Sequence, residues 1–141
     1  MTIFRSFFTL VLLLIFSACH AQESDDILGL WETSEKRSHI KIYKKGSEYF
    51  GKVAWLKEPI DPETGEPRTD DNGERILNME ILKKFVFDGD EWEDGTIYDP
   101  ESGKTYYCSM EFNDKGQLKL RGSVDPIGWL GRTEVWTRVN K

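Results

Sequence analysis

The chain has 141 residues, a formal net charge of −6 and a sequence pI near 5.0. An acidic chain without a basic cluster argues against nucleic-acid partners and against anionic membrane surfaces. Its two cysteines, Cys19 and Cys108, offer no disulfide framework, so an apolar core has to stabilise the fold.

Met1 to Arg5 places one positive charge before the apolar run Phe7 to Phe16, and small residues follow at Ser17, Ala18 and Ala21. This is the pattern of a secretory signal peptide over residues 1–21, too short and wrongly flanked for a membrane span. Cleavage after Ala21 sets small Cys19 and Ala21 at the two positions the peptidase reads. Phe16-Ser17-Ala18-Cys19 also resembles a bacterial lipobox, which makes Cys19 the alternative, lipidated end. Bulky Phe16, where a lipobox usually has Leu, favours the free form. Without the leader, residues 22–141 make one domain with a single modest core. Only Arg5 is lost among the charged residues, so 18 bases face 25 acids and the charge becomes −7. The expected product is an exported monomer, periplasmic or secreted, with no transmembrane segment.

Gly29 to Thr33 opens the domain as a short strand, and His39 to Tyr43 follows with Ile40 and Ile42 on one face. Lys45-Gly46-Ser47 is a turn. Tyr49 to Leu56 is a third strand, with Tyr49, Gly51, Val53 and Trp55 expected on one side. Lys57 to Glu74 is a long polar passage with three of the five prolines, the kind of connection that in a small domain is usually functional or disordered. Ile76 to Phe87 resumes an apolar pattern, either strand or a short helix and then strand.

Trp92 to Phe112 is the clearest element, a β-hairpin. Asp99-Pro100-Glu101-Ser102-Gly103 supplies its turn: Asp caps its own backbone, Pro fixes φ, and Gly accepts a left-handed φ. Tyr106, Cys108, Met110 and Phe112 then alternate with polar neighbours. Asp61-Pro62-Glu63-Thr64-Gly65 repeats the same turn chemistry inside the long passage. Asn113 to Gly116 turns the chain again, Gln117 to Val124 alternates, Pro126 to Gly131 is a glycine-rich aromatic loop, and Arg132 to Val139 is the last strand.

About eight short strands with glycine turns and no long helix predict an all-β domain, an up-and-down antiparallel barrel. The pairing of Gly29-Leu30-Trp31 at the start with Arg138 near the end favours closure of the lipocalin-like (calycin-like) kind, a guanidinium lying on the first strand's indole. Arg132 competes for that role.

Several stretches together resemble the exported bacterial family known as domain of unknown function 2147. They are Gly29-Leu30-Trp31, Ile42-Tyr43, Gly51 to Lys57, Gly95 to Tyr106, Leu120-Arg121-Gly122 and Leu130 to Val139, with Thr133, Trp136 and Arg138 in register. The match spans nearly all of the mature chain and implies a lipocalin-like β-barrel with no established activity. Many members carry a cysteine pair in the first half. This chain lacks it, and with it any disulfide or metal role of that pair.

His39 and Cys108 are the one soft nucleophile–base combination, but no motif frames them, and Cys108 on its apolar face reads as a buried inert thiol. Two such ligands are too few for a metal site. The acids Asp61, Glu63, Asp70, Asp71 and Glu74, with Asn72, do not meet EF-hand spacing and read as a solvated loop. No metal, cofactor or catalytic residue is therefore expected. The last strand carries the functional question. If Arg132, Glu134, Trp136 and Arg138 face inward, the barrel has a polar-lined pocket, because charged heads are not close-packed without partners. If Val135 and Val139 face inward, the barrel is packed solid and binds through its loops, as an envelope interaction module. The leading expectation is a small amphipathic ligand held by Trp31, Trp55 and Trp136, its acidic end met by Arg132 or Arg138. A hydrolase of unknown class is the least favoured reading.

Overall fold

The computed structural model describes residues 23–140; the expected leader and Cys19 lie outside them. Eight strands run β1 (Gly29–Glu32), β2 (Ser38–Lys45), β3 (Glu48–Leu56), β4 (Glu80–Phe87), β5 (Trp92–Asp99), β6 (Lys104–Phe112), β7 (Leu118–Ser123) and β8 (Gly131–Arg138), after a 3-10 turn over Ser24–Ile27. Each strand pairs antiparallel with the next, and β1 pairs with β8 through Trp31–Arg138 and Glu32–Thr137, closing an up-and-down barrel. The seam is short, because β1 pairs with only Thr137 and Arg138 of β8. None of the described residues forms a helix long and apolar enough to cross a membrane.

The apolar stretch that the sequence left open between helix and strand is strand only, and it begins at Glu80. The irregular passage before it is correspondingly longer, residues 57–79. It is held by two isolated bridges, Ile60–Pro67 and Thr69–Arg75. The two Asp-Pro-Glu-x-Gly segments adopt the same turn. In each, the glycine N–H donates to the aspartate carbonyl at 2.8 Å, the glutamate N–H donates to the aspartate carboxylate, and the glycine sits at φ near +70°.

The barrel is filled at one end only. At the lower end Trp31, Trp92 and Trp136 are fully buried with Tyr49, Phe85, Met110 and Leu118. The 3-10 turn plugs this end, accepting indole N–H bonds from Trp31 at Ile27 (2.9 Å) and from Trp92 at Ser24 (3.0 Å). Phe112 packs between the two indoles, 5.8 and 5.4 Å from their centroids, so aromatic contact and area burial act together. Large residues on this wall face glycines. A Cβ placed on Gly95 would stand 2.4 Å from the Phe85 ring, which therefore lies flat on bare backbone. Toward the other end the inner wall changes to Ile40, Val53, Ile81, Ile97 and Leu120 with small Cys108 and Gly122, and the filling stops.

Candidate functional site

Where the filling stops, a cavity of about 1160 Å³ opens toward the end that carries the β1–β2, β3–β4, β5–β6 and β7–β8 connections. Small-molecule sites usually enclose roughly 300–1,000 Å³. Four loops form its rim and five strands supply its aliphatic lower wall.

The parity of β8 determines the wall's charge. Trp136 is 2% exposed, and Arg132 and Glu134 line the cavity, so the Arg/Glu/Trp face of this strand turns inward. Register with β7 stacks the inward pairs in order of height: Leu118–Trp136, then Leu120–Glu134, then Gly122–Arg132. Trp136 consequently lies beneath the cavity, among the packed aromatics, rather than on its wall. Its indole N–H donates to Glu134 at 3.3 Å, and the other Glu134 oxygen accepts from Arg132 at 2.8 Å. Glu134, with a third of its side chain exposed, is the deeper group; Arg132, 82% exposed, reaches over it toward solvent.

Arg138 works at the opposite end. Its guanidinium carbon lies 4.2 Å from the centroid of the Trp31 ring, and its nitrogens donate to the Asp26 and Leu28 carbonyls at 2.6 and 2.9 Å. Gly29 makes room for it: a Cβ there would meet the guanidinium at 3.0 Å, and the backbone has φ +126°. Trp31, fully buried against the 3-10 turn, lines no part of the cavity. Neither Trp31 nor Arg138 is in reach of an occupant, against the expectation that they hold one.

Trp55 is displaced from the expected site by a single residue. Ile40 pairs with Val53 but His39 pairs with Trp55, so Ala54 is an unpaired insertion on β3. A bulge of this kind reverses the side-chain alternation beyond it. Leu56 thus faces the cavity, and Trp55 lies outside, 42% exposed and stacked on His39 at 4.5 Å. His39 in turn reaches Glu32 at 3.4 Å on the same outer surface. His39 faces outward because Ile40 beside it on β2 faces inward, and it is thereby separated from Cys108, which lines the cavity. Burial first, and then the charge of Glu134, push the Cys108 thiol up to about 12, so it is not a thiolate at neutral pH.

Of the five expected ligand-contacting residues, only Arg132 lines the cavity. The aliphatic wall residues Ile40, Val53 and Leu120 were visible as one face of alternating strands, but their height in the barrel was not. Glu134 was visible only as a partner for the arginines.

The rim is rigidly built. Asp70 accepts N–H bonds from Asn72 and Glu74 and the Tyr98 hydroxyl at 2.8 Å, tying the 57–79 passage to β5. These bonds, the Glu74 N–H foremost, hold its carboxyl below the usual range. In the β7–β8 connection, the Asp125 carboxylate accepts from the Trp129 and Leu130 N–H groups at 2.8 and 2.6 Å, while Arg121 donates to the Gly128 carbonyl. This loop holds Ile127 and Trp129 out in solvent, with Val124 and Leu130 at the cavity's edge. Among the described residues the acids close enough to share a metal are Asp88, Glu91 and Glu93, at the plugged end and away from the cavity. Asp88 already serves the N–H groups of Asp90 and Glu91 there.

The protein from the human pathogen Helicobacter pylori described as "Protein HP1028", assigned to the lipocalin family, shares this architecture with a TM-score of 0.61 and 19% identity. The alignment covers 80% of this chain and 82% of that one, a likeness of fold, and the barrel is lipocalin-like. No curated protein matches the chain. Residues 29–138, from the first residue of β1 to the last of β8, match the family described as "Uncharacterized protein conserved in bacteria (DUF2147)", and the chain belongs to that family.

Proposed function

We propose that the protein is an exported carrier that holds a small amphipathic molecule in the open half of its barrel. The observation behind this reading is the cavity of about 1160 Å³, aliphatic below and charged at the rim, in a barrel whose other half is packed with aromatics. Apolar surface that a folded chain leaves exposed in a concave site is surface a ligand can cover, at roughly 25 cal/mol per Å² before the costs of association. The alternative, a solid barrel that binds partners through its loops, describes the lower half alone. Binding rather than catalysis is favoured because the cavity thiol is held protonated and His39 lies on the outer surface.

Gly122 provides the test. It lines the cavity, its φ is ordinary for any residue, and a Cβ there meets only Ile97 and Tyr106 at 3.8 and 4.0 Å. Gly122→Phe should put a ring into the cavity beside Ile97 and Tyr106 and narrow it without disturbing the packed end. The neutral dye N-phenyl-1-naphthylamine should brighten on binding to the wild-type protein and bind the variant more weakly, at unchanged melting temperature. Equal brightening by both, or none by the wild type, would remove the carrier reading.

A further inference from the structure

We infer that the cavity selects cationic amphiphiles, an aliphatic tail on the lower wall and an ammonium-type head at the rim. The inference rests on the carrier reading and narrows it, and it runs opposite to the acidic-headed ligand that two arginines had suggested.

The argument is one of charge already answered. Among the described residues, eight carboxylates and four cations line the cavity, a net of −4. Three of the four cations are guanidinium groups with carboxylate partners: Arg37 with Glu35 and Glu101 at 3.5 and 3.2 Å, Arg68 with Glu58 at 3.0 Å, Arg132 with Glu134 at 2.8 Å. An anionic head would have to displace a carboxylate from a guanidinium and then sit among the remaining acids. Lys57 is the one cation lining the cavity that makes no ion pair among the described residues. Against it stand Asp61, Glu66, Asp71 and Asp99, which line the cavity and make no ion pair among the described residues. The deepest charge on the wall is also negative, because Glu134 lies one inward pair below Arg132. A low-dielectric wall beneath a rim of net negative charge concentrates the field on an entering head. The lower wall of Ile40, Val53, Ile81, Ile97 and Leu120 offers a tail no polar partner, so the ligand's charge belongs at the rim.

The magnitude follows from Coulomb's law. Four net charges about 10 Å from the head, in water-like dielectric, favour a cation and disfavour an anion by at least ~10-fold each at low salt, and by only severalfold each at physiological salt. The test displaces N-phenyl-1-naphthylamine from the purified protein with two probes of matched tail, dodecyltrimethylammonium and dodecanoate, both below micelle formation. The cation should displace the dye at least ~10-fold more effectively at low ionic strength, and the ratio should shrink as salt is added. A triple variant, Glu66→Gln with Asp71→Asn and Asp99→Asn, brings the lining from −4 to −1. It should bind the neutral dye as the wild type does and lose most of the cation preference. Equal or better displacement by dodecanoate, or a preference unchanged by the triple variant, would overturn the selectivity while leaving the carrier reading intact. Failure of the dye to enter the wild-type protein would overturn both.

Discussion

Arg138→Ala should open the barrel's seam, and the size of the effect can be worked from its contacts. The guanidinium donates two charge-assisted hydrogen bonds to the carbonyls of the 3-10 turn and covers the Trp31 indole at 4.2 Å. A hydrogen bond to a charged group contributes about 1.5–3 kcal/mol when buried. Arg138 is exposed at its outer side, so the two bonds together are worth about 1–2 kcal/mol after screening. The cation–π contact adds ~0.5–1 kcal/mol at an exposed site. The sum is about 1.5–3 kcal/mol, a large fraction of the ~5–15 kcal/mol that holds a domain of this size together. In a thermal melt it corresponds to a fall of roughly 6–15 °C. Arg138→Lys keeps a charge over the indole but replaces a planar fork with a single ammonium, so it should recover less than half. Urea unfolding followed by tryptophan fluorescence measures all three proteins, because Trp31 and Trp92 both rest on the turn that Arg138 secures. A loss below about 0.5 kcal/mol for the alanine variant, or full recovery by lysine, would refute this account of closure.

Two glycines of the inner wall should respond oppositely to the same change. Gly95→Ala forces a Cβ into the Phe85 ring and should destabilise by about 1–3 kcal/mol, whereas Gly122→Ala makes ordinary contact with Ile97 and Tyr106 and should stay within about 0.5 kcal/mol of wild type in the same urea assay. The rim should loosen in acid before the barrel does. Asp70 has its folded pKa lowered below the ordinary carboxylate value, chiefly by the Glu74 N–H. Its contribution is therefore complete above that value and is lost as pH falls through the lower, folded one. Asp70→Asn should abolish this acid-induced step, read as hydrogen exchange of the 57–79 amides between pH 5 and 2.5, and a step that persists in the variant would assign it to another group.

Much of the architecture is local chemistry and was legible as such. Alternation on β2, β6 and β7, glycine turns at close spacing and the absence of a 3.6-residue period specify antiparallel strands whatever surrounds them. The paired Asp-Pro-Glu-x-Gly turns are set by five residues each, which is why two segments far apart in the chain fold alike. Trp31 and Arg138 could be matched from opposite ends because a closed barrel must bring its first and last strands together. The site was not legible in the same way. One unpaired residue, Ala54, sends Trp55 to the outer surface, and strand periodicity carries no mark of an insertion that only the partner strand reveals. The two faces of β8 are both plausible interiors by composition; pairing with Leu118 and Leu120 of β7 is what turns Trp136 and Glu134 inward. Height in the barrel has no sequence signature at all. Trp136 and Glu134 are two residues apart on one face, yet one is packed and the other lines a cavity, because the 3-10 turn plugs only the lower end and the bulky side chains run out two strand positions above it. The chain's local periodicity determined that there would be a barrel. Only the tertiary arrangement of plug, bulge and register decided which half of it stays open and which charges look into it.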